Sequence, residues 1–147
     1  MLEPGVNGAP KERAVLALDV GSVRIGVAGT DALGITAQGI ETWARKGLGG
    51  DLAHLCDLAS ARGAKAFVVG LPLNMNGSFG PQAEETQAFA EALFQKSGLP
   101  VIYVDERLTS RAAHGMLHEA GLRQRKHKGI VDKLAAVLIL ESYLGRL

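Results

Sequence analysis

Three acidic residues stand at positions where a carboxylate needs a partner. Asp19 closes the apolar run AVLALDVG and is followed by a glycine turn, and Glu106 ends the apolar run VIYVDE. Asp132 lies in what we predict to be the first turn of an apolar helix, GIVDKLAAVLILESYLG. Carboxylate oxygens are the ligands that hard cations such as Mg²⁺ and Mn²⁺ prefer. Brought together, the three acids would form a metal site.

Each of these acids also has an ordinary structural explanation. Asp19 could accept backbone N–H bonds in a hairpin turn, and Asp132 could be an acid favoured by the helix dipole. Glu106 could pair with Arg107 or Arg111 at the surface. Because the three acids are remote in sequence, only the tertiary fold could bring them into one site.

The spacing of apolar residues predicts the elements that would position the acids. The runs AVLALDV, RIGVAGTD and ITAQGIETW predict an antiparallel three-strand meander. A helix ending at Gly63 and the short buried strand AFVVG follow. A second helix begins at Pro81 and ends at Ser97-Gly98. The strand VIYVDE, a third helix ending at Gly121 and the final helix complete the chain. This order predicts an α/β fold: a mixed five-stranded sheet, with the meander plus two parallel strands, flanked by helices.

The predicted sheet would gather the acids at one edge. In open α/β sheets, sites form beyond the carboxyl ends of the strands, where the connections change direction. Asp19 on the central strand and Glu106 on a parallel strand would both arrive near that edge. Asp132, at the start of a helix laid against the sheet, would point inward to join them.

Length and composition limit the classes of protein to which the chain could belong. The 147 residues are 47% hydrophobic with a net charge of +1, which suits one globular domain and indicates no globally acidic partner. No run reaches the ~20 apolar residues that span a membrane, and the N-terminus MLEPGVNGAPKER lacks the apolar core of a secretory signal. The single Cys56 cannot form an intrachain disulfide. We expect a cytoplasmic protein without membrane contact, with a disordered leader over residues 1–12 and one domain over residues 13–147.

Four ordered motifs resemble those of a known family. DVGSVRIGVA, VVGLPLNMNGS, VDERLTSRAA and KGIVDKLAAVLILESYL are similar to motifs of the YqgF family of RNase H-like nucleases. Members of that family are described as Holliday junction resolvases and ribosomal-RNA-processing nucleases. The resemblance runs from Ala14 to Leu144 and implies that residues 13–147 form an RNase H-like nuclease domain. It also implies that Asp19, Glu106 and Asp132 are the catalytic, metal-binding set.

The resemblance implies a metal-dependent cleavage of phosphodiester bonds in structured nucleic acid. Two Mg²⁺ or Mn²⁺ ions about 3.5–4 Å apart would stabilise the attacking and leaving oxygens, with Asp19 bridging them. The implied substrates are the 5′ end of precursor 16S rRNA, branched DNA, or both. The chain departs from the family pattern at Val23, often a lysine, and at Asn76, often an aspartate. Both departures bear on substrate contacts rather than on the acids.

Basic and amide side chains supply candidate contacts with RNA or DNA. A cationic cluster in RQRKHKG stands directly before the final helix, where it would lie at the rim of the acidic site. The alternatives are a solvated turn and surface ion pairs. The candidate nucleic-acid-binding residues are Arg24, Asn74, Arg107, Arg111, Arg123, Arg125, Lys126 and Lys128.

Two other functions compete with the nuclease hypothesis. The chain could be a non-catalytic nucleic-acid-binding module acting in transcription or ribosome assembly. It could also be a lobe of an actin-like ATPase, because Asp-x-Gly after a first strand opens that fold too, but the chain is too short for the second lobe. The final helix is apolar on most of its circumference, so part of it could form a homodimer surface.

Overall fold

The computed structural model describes residues 12–106 and 128–147, and of residues 128–130 it describes only the backbone. The predicted third helix and the first eleven residues of the predicted leader lie outside the described residues. The elements are β1 (Val15–Val20), β2 (Arg24–Thr30), β3 (Ala37–Ala44), α1 (Leu48–Arg62), β4 (Ala66–Leu71), α2 (Pro81–Ser97), β5 (Val101–Asp105) and α3 (Lys128–Leu144). In the described ranges, the predicted strands and helices are therefore confirmed.

The five strands form one mixed sheet in the order β3-β2-β1-β4-β5. Strands β1, β2 and β3 pair antiparallel, whereas β4 is parallel to both β1 and β5. The predicted meander with two added parallel strands is confirmed, and β1 is the central strand. The carboxyl ends of β1, β4 and β5 consequently meet at the same edge of the sheet.

Helices α1 and α2 end where the sequence predicts. Gly63 and Gly98 follow them with φ angles of 67° and 72°, a left-handed conformation that costs glycine little because it has no Cβ. Pro81 begins α2, where its missing N–H has no helical partner to lose. These terminal signals are local, and the sequence alone is sufficient to place them.

The two faces of the sheet differ in the size of their side chains. One face packs against α1 and α2, and we call it the large-residue face: Leu16, Leu18, Ile25, Val27, Phe67 and Val69. The other packs against α3, and we call it the small-residue face, since it includes Ala17, Gly26, Ala28, Ala66 and Gly70. Because successive residues of a strand point to opposite faces, the same strands build both.

Helix α3 lies unusually close to the small-residue face. A Cβ on Gly26 would lie 1.9 Å from the backbone oxygen of Asp132, and a Cβ on Gly70 would lie 2.4 Å from Cδ1 of Ile139. These two glycines therefore set the depth at which the helix packs.

The prediction that Asp132 lies in the first turn of the final helix is wrong. The helix begins at Lys128 and its first turn contains no acid. The predicted helix starts at Gly129, whereas the observed helix starts at Lys128, which places Asp132 just beyond the first turn. Within the described residues, no helix is long and apolar enough to cross a membrane.

Candidate functional site

The alternation of β1 and β5 brings two acids to the small-residue face. In β1, Asp19 is two residues after Ala17 and lies on the same face. After β5, Glu106 continues the alternation of Ile102 and Val104, which also lie on that face. With a period of two residues, both carboxylates point to the side of the sheet that α3 covers. Since β1 and β5 run in the same direction, both acids also lie at the same sheet edge.

Gly70 leaves the space in which these two acids meet. Strand β4 separates β1 from β5, so their backbones are roughly 9–10 Å apart at about 4.8 Å per strand. Gly70 pairs with Val104, and its neighbour Val69 pairs with Leu18. Oε2 of Glu106 lies 3.2 Å from the position that a Cβ on Gly70 would take. The carboxylates therefore approach each other across a residue that has no side chain.

Asp19 and Glu106 share a side-chain hydrogen bond, which requires one of the two carboxyl groups to carry a proton. Burial raises the pKa of Asp19 from 3.8 to about 9, aided by the bond to Glu106 and by the charges of Glu106 and Asp132. A divalent cation would replace this proton, because it neutralises the repulsion that keeps the proton bound.

Asp132 reaches the same site from α3. Gly26 is the direct partner of Asp19 in the β1–β2 ladder, and the backbone of Asp132 lies against Gly26. The side chain of Asp132 binds Arg24, whose Nε donates to its Oδ2 at 2.8 Å. The fold therefore brings the three predicted acids together as a hydrogen-bonded pair and a neighbouring ion pair.

The donor set fits a hard divalent cation. All three candidate ligands are carboxylates, and the Asp19 proton and the Arg24 guanidinium are the positive charges that a metal would replace. In the described parts of the chain, no group of three or more His, Cys, Asp or Glu side chains stands ready to hold an ion. Asp132 is instead paired with the Arg24 guanidinium.

A buried ion pair that the sequence did not reveal supports the turn after β1. Arg45 donates from Nη1 to the backbone oxygen of Gly21 at 3.0 Å and from Nε to Oδ2 of Asp51 at 2.8 Å. Burial alone would raise the pKa of Asp51, but hydrogen bonds from the Lys46 amide, Arg45 and Trp43 lower it overall. The charged Asp51 thus fixes Arg45, and Arg45 fixes the turn that borders the site.

A groove of about 360 Å³ adjoins the acid pair. Apart from Asp19 and Glu106, its walls are largely uncharged: Val20, Gly21, Pro72, Leu73, Met75 and Gln82. The groove thus begins at the carboxylates and extends toward the loop between β4 and α2.

The loop that forms one wall of this groove is closed by its own hydrogen bonds. The Asn74 amide donates from Nδ2 to Ser78 Oγ at 3.0 Å, and Asn76 Oδ1 accepts from the Ser78 backbone N–H at 3.0 Å. Gly77, with a φ of 87°, donates its N–H to the Asn74 carbonyl at 2.8 Å. In this structure Asn74 holds the loop, and its predicted contact with nucleic acid stays a prediction.

Of the predicted cationic contacts, only that of Arg24 has a described side chain. Arg24 lies at the acidic site, bound to Asp132. Lys128 begins α3, and its backbone alone is described. The other candidates lie outside the described residues, and their roles stay predictions: Arg107, Arg111, Arg123, Arg125 and Lys126.

Comparisons with known proteins add sequence relatives and a fold relative. The family model described as "RuvX: Holliday junction resolvase" matches residues 13–146. A protein of Moorella thermoacetica named "Putative pre-16S rRNA nuclease" is 51% identical over 133 residues, which cover 90% of this chain and 95% of the relative. A Syntrophomonas wolfei protein of the same name is 48% identical over 130 residues, 88% of this chain and 92% of the relative.

A fold relative is RuvC of T. thermophilus, solved in complex with a Holliday junction substrate. The two structures match with a TM-score of 0.55 at 15% sequence identity, over 90% of this chain and 94% of RuvC. At this identity the likeness concerns the fold. It confirms the predicted RNase H-like α/β class.

Proposed function

The chain belongs to the RuvX family of Holliday junction resolvases, and from that premise we propose that it is a metal-dependent nuclease that processes precursor 16S rRNA. As a nuclease it is a hydrolase acting on ester bonds. The resemblance to the YqgF family is thereby confirmed, because the RuvX model and the relatives named pre-16S rRNA nuclease identify the same family. The observation that carries the proposal is the Asp19–Glu106 pair, which lies above Gly70 at the carboxyl edge of the central strands.

The choice of RNA follows from the sequence relatives. Two relatives with about half their residues identical to this chain bear a name that refers to pre-16S rRNA, whereas RuvC shares only 15% of its residues and the fold. Branched DNA is the second candidate substrate, favoured by the description of the family model.

The three acids would hold the metal and Arg24 would hold the substrate. Two bound Mg²⁺ or Mn²⁺ ions would lower the pKa of the attacking water and stabilise charge on the leaving oxygen. Asp19 would release its proton and, together with Glu106 and Asp132, would hold the metal. Arg24, freed from Asp132, would donate its N–H groups to a phosphate of the substrate.

Replacing Asp19 with Asn tests the site directly. The assay follows cleavage of a labelled RNA that carries the 5′ boundary of 16S rRNA, and of a four-way DNA junction, with Mn²⁺ or Mg²⁺. We expect wild type to cut the RNA and D19N to bind it without cutting, since the amide cannot replace the metal-binding carboxylate. Asp57→Asn is the matched control, because Asp57 is an exposed acid on α1, behind the opposite face of the sheet.

Each other outcome of the assay has a defined meaning. Cleavage by D19N at the wild-type rate would reject Asp19 as a catalytic residue. Cleavage of the junction alone would replace the RNA assignment with branched DNA. Binding of both substrates without cleavage by wild type in either metal would favour the non-catalytic module.

A further inference from the structure

The two sides of the acid pair differ in chemistry. On the α3 side, Arg24 provides a cation next to Asp132. On the side of the β4–α2 loop, the described walls of the groove contain no Lys, Arg or His, and their only charged groups are Asp19 and Glu106. Beyond the two carboxylates, which the proposed function assigns to the metal, the described residues that line the groove offer a phosphate no cation, so this side suits an uncharged part of the substrate.

The uncharged walls have the chemistry of a nucleobase site. Val20, Pro72, Leu73 and Met75 offer apolar surface, and Gln82 offers an amide that can both donate and accept at the edge of a base. Gln82 is exposed at the start of α2 and makes no side-chain hydrogen bond to another described residue. At about 360 Å³ the groove is within the usual range for a small-molecule site.

The loop that carries Met75 is organised by its own hydrogen bonds. Met75 is 68% exposed, although it stands between Asn74 and Asn76, whose side chains hold the loop through Ser78. A preorganised wall is advantageous because binding then does not require the loop to be ordered. The thioether side chain is also adaptable, so it can pack against different bases.

We infer that this groove is a subsite for one unpaired nucleobase of the substrate, with the base on the Met75 side and its phosphate on the Arg24 side of the acids. The inference rests on the proposed nuclease function and deepens it. A base can enter the groove only if it is unstacked and free of a complementary partner. The enzyme should therefore cut single-stranded, frayed or branched positions and not the interior of a continuous duplex.

Binding without cleavage gives the first test. A series of single-stranded RNAs spanning the cut site, each with one 2-aminopurine, is mixed with the D19N protein and Mn²⁺. We expect emission to rise at one position only, where the base leaves its neighbours, and to stay unchanged there with the D19N/M75S protein. No rise at any position would overturn the subsite.

Cleavage gives the second test. An abasic nucleotide at that position should slow cutting by wild type about tenfold, which corresponds to roughly 50–60 Å² of apolar surface left unburied. With the Met75→Ser protein, the abasic nucleotide should not slow cleavage further. With the Gln82→Ala protein, the abasic nucleotide should slow cleavage by less than it does with wild type, as expected for coupled partners. Equal cutting of normal and abasic substrates by wild type would reject the inference.

Leu33→Ser is the matched control. Leu33 is 75% exposed, lies between β2 and β3, and does not line the groove. The change removes the same kind of exposed apolar side chain, so it should leave the emission and the abasic penalty unchanged. The two proposals fail separately: inactive D19N with no abasic effect rejects only the base subsite, whereas active D19N rejects the catalytic site.

Discussion

The large-residue face and the small-residue face are built by the same strands, yet they serve different ends. On the first, side chains such as Leu18 and Phe67 fill the space under α1 and α2 and are fully buried. On the second, Gly26 and Gly70 leave space that the α3 backbone and the Glu106 carboxylate occupy. One face stabilises the fold by the volume it fills, and the other forms the site by the volume it leaves open.

The two faces should therefore tolerate opposite kinds of substitution. Removing atoms should be costly on the large-residue face, because cavities forfeit packing and burial. Adding atoms should be costly on the small-residue face, because backbone cannot move aside as a flexible side chain can.

Gly26→Ala should have the largest effect. Its Cβ would overlap the backbone oxygen of Asp132, so α3 must shift, and we expect a loss of about 4 kcal/mol or more in the free energy of unfolding. Urea denaturation measures it. Gly49→Ala in α1 is the control, since nothing lies within 4 Å of its Cβ position, and alanine there should be neutral or stabilising. Equal stabilities of the two variants would contradict the contrast.

Leu18→Ala tests the opposite face. Leu18 is fully buried in the core under α1 and α2, so the cavity should cost about 3 kcal/mol in urea denaturation. The cleavage rate per folded molecule should change little, because the acids lie on the other side of the sheet. A loss of cleavage larger than the loss of folded protein would show that the faces are not independent.

Gly70→Ala should damage the site more than the fold. The new Cβ would meet the flexible end of Ile139 and Oε2 of Glu106, so we expect a loss of about 2 kcal/mol and a strong drop in cleavage. Adding Ile139→Val removes the clashing Cδ1 and should restore stability but not cleavage. Recovery of both would show that Glu106 does not need the open space.

The acid pair should make the metal-free protein less stable as pH rises. The pKa of Asp19 is about 9 in the fold and 3.8 as its ordinary value, so between these limits the folded state binds more protons. The free energy of unfolding should fall by about 2 kcal/mol from pH 6 to pH 7.5. Asp19→Asn should remove this fall, as measured by urea titrations in EDTA, whereas Asp57→Asn should keep it.

Arg24→Gln should strengthen metal binding while weakening substrate binding. Without the guanidinium, Asp132 no longer has a competing cation, so Mn²⁺ should bind roughly fivefold more tightly by calorimetry. Arg13→Gln is the control, because Arg13 bonds the Gly34 carbonyl instead. Weaker Mn²⁺ binding by R24Q would show that Arg24 orients Asp132 for the metal rather than competing for it.

The sequence predicted those features that depend on local pattern. Period two in β1 and β5 and glycine stops after α1 and α2 are encoded by neighbouring residues, so the fold class and the converging acids could be foreseen. The role of Gly70 could not, because it depends on the register of three strands. A glycine inside a buried strand, such as the one in AFVVG, is nevertheless a signal of close approach.

Pairings between polar residues that are remote in sequence also could not be predicted from the sequence. Arg24 was predicted to contact phosphate, but its bond to Asp132 spans 108 positions of sequence. Asp51 was not singled out, since its burial depends on Arg45, Trp43 and Lys46 together.

The contact between the α3 backbone and Gly26 has a consequence for protein engineering. Grafting the three acids onto a different sheet would transfer only carboxylates that repel one another. The recipient scaffold must also supply two glycines, one at the strand position opposite Asp19 and one on the strand between those that carry Asp19 and Glu106. A search template for similar enzymes should therefore include these empty positions as well as the carboxylates.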